Sequence, residues 1–180
     1  MVQHVPSCEK FYISCDYGTV NPSSFGLWGY CSEDGIWYRL QEYYYDARKE
    51  GCSRTDEAHY TALEALAGER QIEAVVIDPS AASMIACITQ HGRFRVIRAD
   101  NDVLAGIQRV STALQKEQLR FAAVCKDTIR EFGMYCWEEA RHGDAPKKEF
   151  DHAMDDVRYF VSTVLQRQKR NDFFTAALRR

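Results

Sequence analysis

The stretch Ile72-Glu73-Ala74-Val75-Val76-Ile77-Asp78-Pro79-Ser80 decides the fold. Its first part is short, nearly continuously apolar and rich in β-branched residues, the pattern of a strand covered on both faces of a sheet. Asp78-Pro79-Ser80 then stops it. Upstream, residues 55–70 carry Ala58, Ala62, Leu63, Ala65 and Leu66 at helical spacing, with Thr55 placed to cap the first turn. Downstream, residues 81–90 read as a helix and 93–98 as a strand. A further helix is expected from 101 or 102 to about 116, then a short extended piece at 119–124. Strands that alternate with helices in this way point to α/β layering.

The N-terminal third reads differently. Residues 11–17, 23–31 and 36–46 are aromatic and β-branched, and Asn21-Pro22 and Glu33-Asp34-Gly35 separate them with strong turn signals, so an antiparallel meander is expected. The third run alternates, with Ile36, Tyr38 and Leu40 on one side and Trp37, Arg39 and Gln41 on the other, which predicts a half-exposed strand. Toward the C-terminus, residues 126–140 look helical, 141–148 form a loop around Gly143 and Pro146, and the last helix runs from 151 to about 168. The predicted fold class is α/β: one mixed sheet, antiparallel meander plus parallel strands, with helices on both faces. We expect a single domain over 1–180, with its core at about 11–168 and a basic tail at 169–180.

Composition narrows the function. The 180 residues are 46% hydrophobic, enough for a real core. The 26 acidic and 23 basic side chains give a net charge of −3. A protein that grips nucleic acid unaided usually has a basic excess, so any DNA binding here is expected to be weak. The seven cysteines are odd in number and include no C-x-x-C pair, which fits a reduced compartment and no structural zinc. No apolar run reaches the length of a membrane span, and residues 1–10 lack the order of a signal peptide. A soluble chain without membrane partners is expected.

Three groups of carboxylates then stand out. Asp16 sits near the end of the first strand, Asp78 ends the central one, and Asp151, Asp155 and Asp156 surround His152 on the last helix. Neighbouring strand ends of an open α/β sheet meet in one crevice, and carboxylates that converge there need a cation of high charge, for which oxygen-coordinated divalent ions are suited. Two such ions, roughly 4 Å apart, can activate water and stabilise the leaving oxygen of a phosphodiester. Each residue also has a plainer reading. Asp78 before Pro79 suits a helix cap, Asp16 before Tyr17-Gly18-Thr19 suits a turn, and the acidic helix suits a solvated first turn. His152 can pair with Asp155 or Asp156 across one helix face, and the helical wheel does not decide between them.

The ordered set of Asp16-Tyr17-Gly18-Thr19, Asn21-Pro22, Glu42-Tyr43-Tyr44-Tyr45-Asp46, Arg54-Thr55-Asp56, Ile77-Asp78-Pro79-Ser80-Ala81, Ala99-Asp100-Asn101-Asp102-Val103 and Asp151-His152-Ala153-Met154-Asp155 resembles the C-terminal nuclease domain of tailed-phage terminase large subunits, colinearly from about 11 to 165. The resemblance implies a ribonuclease H-like fold, two Mg2+ or Mn2+ ions, and endonucleolytic cutting of concatemeric double-stranded viral DNA during genome packaging in the host cytoplasm. It implies that Asp16, Asp78 and Asp155 bind metal, with His152 at or beside the site, and it selects Asp155 over Asp156, where many members have alanine. It also implies a packaging ATPase domain, a portal and a small terminase subunit as partners. This chain has no G-x-x-x-x-G-K-[ST] phosphate loop, so the nuclease part alone is expected. Arg141, Lys147 and Lys148 beside the last helix are the expected DNA contacts, with Arg167, Lys169, Arg170, Arg179 and Arg180 in the tail. Rival readings are another ribonuclease H-like nuclease or a junction resolvase, or a docking module with vestigial carboxylates. An actin-like ATPase would need a second D-x-G-[ST] loop, which is missing.

Overall fold

The computed structural model describes residues 1–137 and 146–166. A meander of β1 (Lys10–Asp16), β2 (Ser23–Cys31) and β3 (Ile36–Tyr45) comes first, followed by a short helix α1 (Ala47–Glu50) and by α2 (Asp56–Ala67). Alternation follows: β4 (Ile72–Ile77), α3 (Ala82–His91), β5 (Val96–Arg98), α4 (Val103–Gln115), β6 (Leu119–Phe121), α5 (Lys126–Met134) and α6 (His152–Phe160). The six strands form one sheet in the order β5-β4-β1-β2-β3-β6. The β1–β2 and β2–β3 pairs are antiparallel. The β1–β4, β4–β5 and β3–β6 pairs are parallel.

Side-chain alternation sorts the core into two layers. On one face Ile13, Cys15, Val75 and Ile77 pack against Leu63 and Leu66 of α2 and Met84 and Ile88 of α3. On the other, Trp28, Trp37 and Val76 meet Ala113 of α4 and Val157 and Phe160 of α6, with Trp28 and Phe160 stacked at 4.2 Å. The mixed α/β sheet with helices on both faces is therefore observed. All seven cysteines are free. Among the described residues no helix is long and apolar enough to cross a membrane.

Three elements differ from expectation. β3 is not half-exposed over its first half: Ile36, Trp37, Tyr38 and Arg39 are all buried, because β6 pairs alongside it and α6 covers its second face. The helix expected over 126–140 ends at Met134, where Tyr135 turns extended and donates its N–H to the Glu131 carbonyl, and Trp137 pairs across to Pro146. The last helix changes hydrogen-bond pattern after Phe160, continuing as a π-helical turn over Val161–Leu165. Such widened turns are rare, and here Thr163 uses its hydroxyl to accept the Asp100 N–H at 3.0 Å.

Candidate metal centre

Asp16 is the last residue of β1 and Asp78 directly follows β4. These strands are parallel neighbours with Cys15 opposite Ile77, so the two aspartates leave the sheet side by side at its carboxyl edge. Cys15 and Ile77 belong to the α2/α3 layer. The next residue on each strand therefore faces the other way, toward α6.

The position of α6 is set by a relay of buried carboxylates. Glu42 on β3 accepts the N–H groups of Asp127 and Thr128 at 2.7 and 3.0 Å, which seats the start of α5. Fully buried Glu131 on α5 then accepts the Ala153 N–H at 2.6 Å and the Tyr44 hydroxyl, satisfying a first-turn donor of α6 that no capping side chain of its own reaches. Burial pushes the Glu131 carboxyl up, although the Tyr44 and Ala153 hydrogen bonds oppose this.

Asp156 locks the helix to the sheet. It is fully buried, and it accepts from both terminal nitrogens of Arg39, from Ser14 Oγ at 2.7 Å and from Ser24 Oγ. Arg39 is also fully buried and lies over the Trp28 ring. Gly26 on β2 makes this possible, since a side chain there would collide with the guanidinium. Burial opposes the charge of Arg39, but the Asp156 carboxylate prevails and raises its pKa. Asp155, about 100° back around the helix, opens instead into a cleft of about 990 Å³ at the carboxyl edge of the sheet.

Asp16, Asp78, Asp155 and His152 all line that cleft. Each is held by a partner. Asp16 Oδ2 lies 2.9 Å from His152 Nδ1. Asp78 accepts the Ser80 N–H and the Tyr159 hydroxyl, each at 2.7 Å. Asp155 Oδ1 receives Arg158 Nη2 at 2.9 Å and Nε at 3.1 Å. In these pairings the three carboxylates are not gathered within 4.8 Å of one another. Phe150, on the cleft wall before α6, takes a left-handed φ of 56°.

The electrostatics divides the aspartates. Burial raises Asp16 to about 6, with the His152 hydrogen bond opposing and the charges of Asp155 and Asp156 adding to the rise. Asp155 is also raised by burial, with Arg158 opposing. Asp78 is lowered: burial would raise it, but its hydrogen bonds from Ser80 and Tyr159 outweigh that cost. His152 is raised because the hydrogen bond and charge of Asp16 overcome its burial. A site whose buried carboxylates resist ionisation beside one another, and whose donors are hard oxygens, suits a small divalent cation; Mg2+ and Mn2+ fit this donor set.

Reading the sequence missed the residues that act through these. Tyr159 lies four positions after Asp155, a spacing that already puts both on one helix face. Arg39 and Glu131 carry no local signal, since their partners are remote in sequence. Of the expected DNA contacts, Lys148 lines the cleft and Lys147 pairs with Glu149 at 2.7 Å. Arg141, Arg167, Lys169, Arg170, Arg179 and Arg180 lie outside the described residues. Arg48, Lys49 and Arg130 join Lys148 on the cleft wall, and none of these three was expected from the sequence.

No family model and no curated protein sequence matches the chain. Solved structures do. The large terminase of a thermophilic bacteriophage, in complex with ADP, is 44% identical with a TM-score of 0.87, over 92% of this chain and 42% of that one. The chain thus spans about two fifths of the length of that terminase. The P22 large terminase nuclease domain aligns over 89% of this chain and 85% of that one, at 16% identity and a TM-score of 0.70. The large terminase nuclease domain of bacteriophage SPP1, solved with bound Mn, aligns over 84% of each chain at 18% identity and a TM-score of 0.54. The last two establish a shared fold.

Proposed function

We propose that this chain, 44% identical over 92% of its length to a phage large terminase, is the nuclease part of such a terminase, a metal-dependent endonuclease that cuts concatemeric double-stranded viral DNA during genome packaging. The observation that carries this reading is the meeting of Asp16, Asp78 and Asp155 in one cleft, from two adjacent parallel strand ends and a helix. Asp16, Asp78 and Asp155 would hold Mg2+ or Mn2+, two ions in all. Bound there, the ions supply an activated water and charge neutralisation at the scissile phosphate.

The chain's own residues do the rest. Asp16, paired with His152, would be one of the carboxylates that hold the ions. His152 holds Asp16 in one orientation and can keep a proton next to it. Tyr159 fixes Asp78 through its hydroxyl. Arg158 balances Asp155 and reaches the Asn101 carbonyl at 2.8 Å, which keeps α6 against the loop before α4. Lys148, Arg48, Lys49 and Arg130 flank the acidic centre and would receive the DNA backbone. With a net charge of −3 the whole field is weak, so low affinity and low sequence preference follow, and an ATPase domain, with the portal and small terminase subunit, would hold the substrate in the host cytoplasm. The whole chain is read as one nuclease domain.

Plasmid DNA incubated with this chain, with Mg2+, Mn2+ or a chelator, tests the reading. Nicking and linearisation with either metal, lost with the chelator, are expected. A well-folded chain that leaves plasmid intact in both metals would favour a docking module with vestigial carboxylates, and cutting confined to branched DNA would favour a resolvase.

A further inference from the structure

Among the described residues, the one group of three His, Cys, Asp or Glu side chains with ligand atoms all within 4.8 Å of one another lies away from the cleft: Glu57, Cys87 and His91. Cys87 and His91 stand four residues apart on α3, one turn along a single face, and Glu57 comes from the first turn of α2. We propose that these three residues form a second metal site, selective for zinc-like ions over magnesium, that ties α2 to α3.

The geometry is close to what such an ion needs. His91 Nε2 lies 2.9 Å from one oxygen of Glu57, and Cys87 Sγ lies 3.5 Å from the other. Zinc bonds of about 2.0–2.3 Å at tetrahedral angles hold ligand atoms roughly 3.3–3.6 Å apart, so the three side chains need shift only slightly. The imidazole is already oriented: its ring stacks on Tyr60 with centroids 3.8 Å apart and planes 7° apart, and Tyr60 is itself buried. Cys87 is buried while Glu57 and His91 are exposed, which leaves an entry path and a fourth position for water.

Ligand chemistry sets the selectivity. A thiolate and an imidazole favour zinc and cobalt, whereas the carboxylate-rich cleft, which has no thiol in its lining, favours magnesium and manganese, so the two sites sort ions between them. Burial and the neighbouring Glu57 carboxylate push the Cys87 thiol up to about 11. Uptake of an ion displaces the Cys87 thiol proton to solvent and leaves the neutral His91 ring in its Nδ1–H tautomer, so that the Nε2–H hydrogen bond to Glu57 gives way to metal bonds from Nε2 and from the carboxylate. Because α2 and α3 cover the face of the sheet opposite α6, this site lies away from the carboxylate centre. The Cys-x-x-x-His spacing lacks the C-x-x-C form that zinc sites commonly show, and its third ligand is thirty positions away, so sequence spacing alone does not reveal it.

Cobalt(II) is the probe. Added to the metal-free, reduced chain, it should give a thiolate-to-cobalt charge-transfer band saturating at one equivalent. Asp16→Asn should keep the band, since the cleft offers no thiol. Cys87→Ser should lose it, and the exposed-site variants His91→Gln and Glu57→Gln should weaken cobalt binding about tenfold or more. Zinc should raise the melting temperature of the wild-type chain and not that of His91→Gln. No charge-transfer band with the wild-type chain at saturating cobalt would overturn the site, as would a band of unchanged intensity and affinity in Cys87→Ser or His91→Gln.

Discussion

His152 Nδ1 and Asp16 Oδ2 lie 2.9 Å apart, joining the first residue of α6 to the last residue of β1 across the cleft. Both groups have raised pKa values, Asp16 to about 6 through burial and His152 through its carboxylate neighbour. A group with a raised folded-state pKa contributes stability that is full below its unfolded pKa and lost as pH rises through the folded one. In the metal-free chain the contribution of Asp16 should therefore fade between about pH 4 and 6, and that of His152 above its ordinary range. Melting temperature measured in chelator should fall from pH 5 to pH 8, and Asp16→Asn should flatten the carboxyl part of that fall. An unchanged pH profile in Asp16→Asn would remove Asp16 as its source.

Cleavage should depend on Asp16 and Asp78 alike, while stability should not. Charge repulsion alone predicts that Asn at either position leaves the chain as stable or more so. The hydrogen bonds separate the two cases. Asp16→Asn removes a buried charge that resists ionisation and should gain on the order of 1 kcal/mol at pH 8, whereas Asp78→Asn weakens the Tyr159 and Ser80 contacts and should lose about 1 kcal/mol. Denaturant unfolding reads the stabilities, and plasmid cutting should vanish in both variants. Cutting at near wild-type rate by either one would end the metal-ligand assignment.

Asp155 and Asp156 should behave oppositely. Asp156→Ala strands the buried Arg39 guanidinium without its carboxylate and should cost about 3–5 kcal/mol, enough to unfold a marginal domain. Asp155→Asn weakens the hydrogen bonds from the buried Arg158 and should cost about 1 kcal/mol, much less than loss of Asp156, and abolish cutting. If Asp156→Asn folds well and loses metal-dependent cutting while Asp155→Asn retains it, the roles are reversed.

His152→Ala should reduce cutting in both Mg2+ and Mn2+, because Asp16 then loses the partner that orients it. A direct ligand role predicts a larger loss in Mn2+, which imidazole suits better, than in Mg2+. Equal losses indicate that His152 positions Asp16, and unchanged rates in both metals would make it a helix-surface residue only.

The parts of this site that were legible in the sequence are those set by local periodicity. Ile72–Ile77 read as a doubly buried strand because its neighbours on both faces are apolar whatever they are, and its end marked Asp78. The expected cap residue Thr55 does accept the Ala58 N–H, and Asp102, at the expected start of α4, accepts that of Ala105. Long-range pairing was not legible. Alternation put Arg39 on an exposed strand face, but the partner that buries it, Asp156, is 117 residues away. The apolar stripe of α6 runs nearer Asp156 than Asp155, and that small asymmetry was the one local sign of which aspartate turns inward. The early end of α5 likewise comes from the Trp137–Pro146 pairing rather than from propensity.

DNA binding should be weak, and its dependence on salt should identify which basic side chains touch phosphate. Lys148 lines the cleft beside Asp151 and His152, whereas Lys147 already pairs with Glu149 at 2.7 Å. A contact that releases counterions lowers the salt slope by about one unit when neutralised, and it weakens binding alike on all sequences. Lys148→Ala should therefore reduce the slope by about one. Lys147→Ala should reduce it by less, because its charge is partly spent on Glu149 before DNA arrives. Arg130, tied to Asp127 and Glu131, should fall between the two if DNA competes for it. Binding of duplexes of unrelated sequence, followed from low to physiological salt, measures all three. Tight and sequence-selective binding by the wild-type chain at physiological salt would contradict the proposed dependence on a separate motor, and would point to a nuclease that finds its own site.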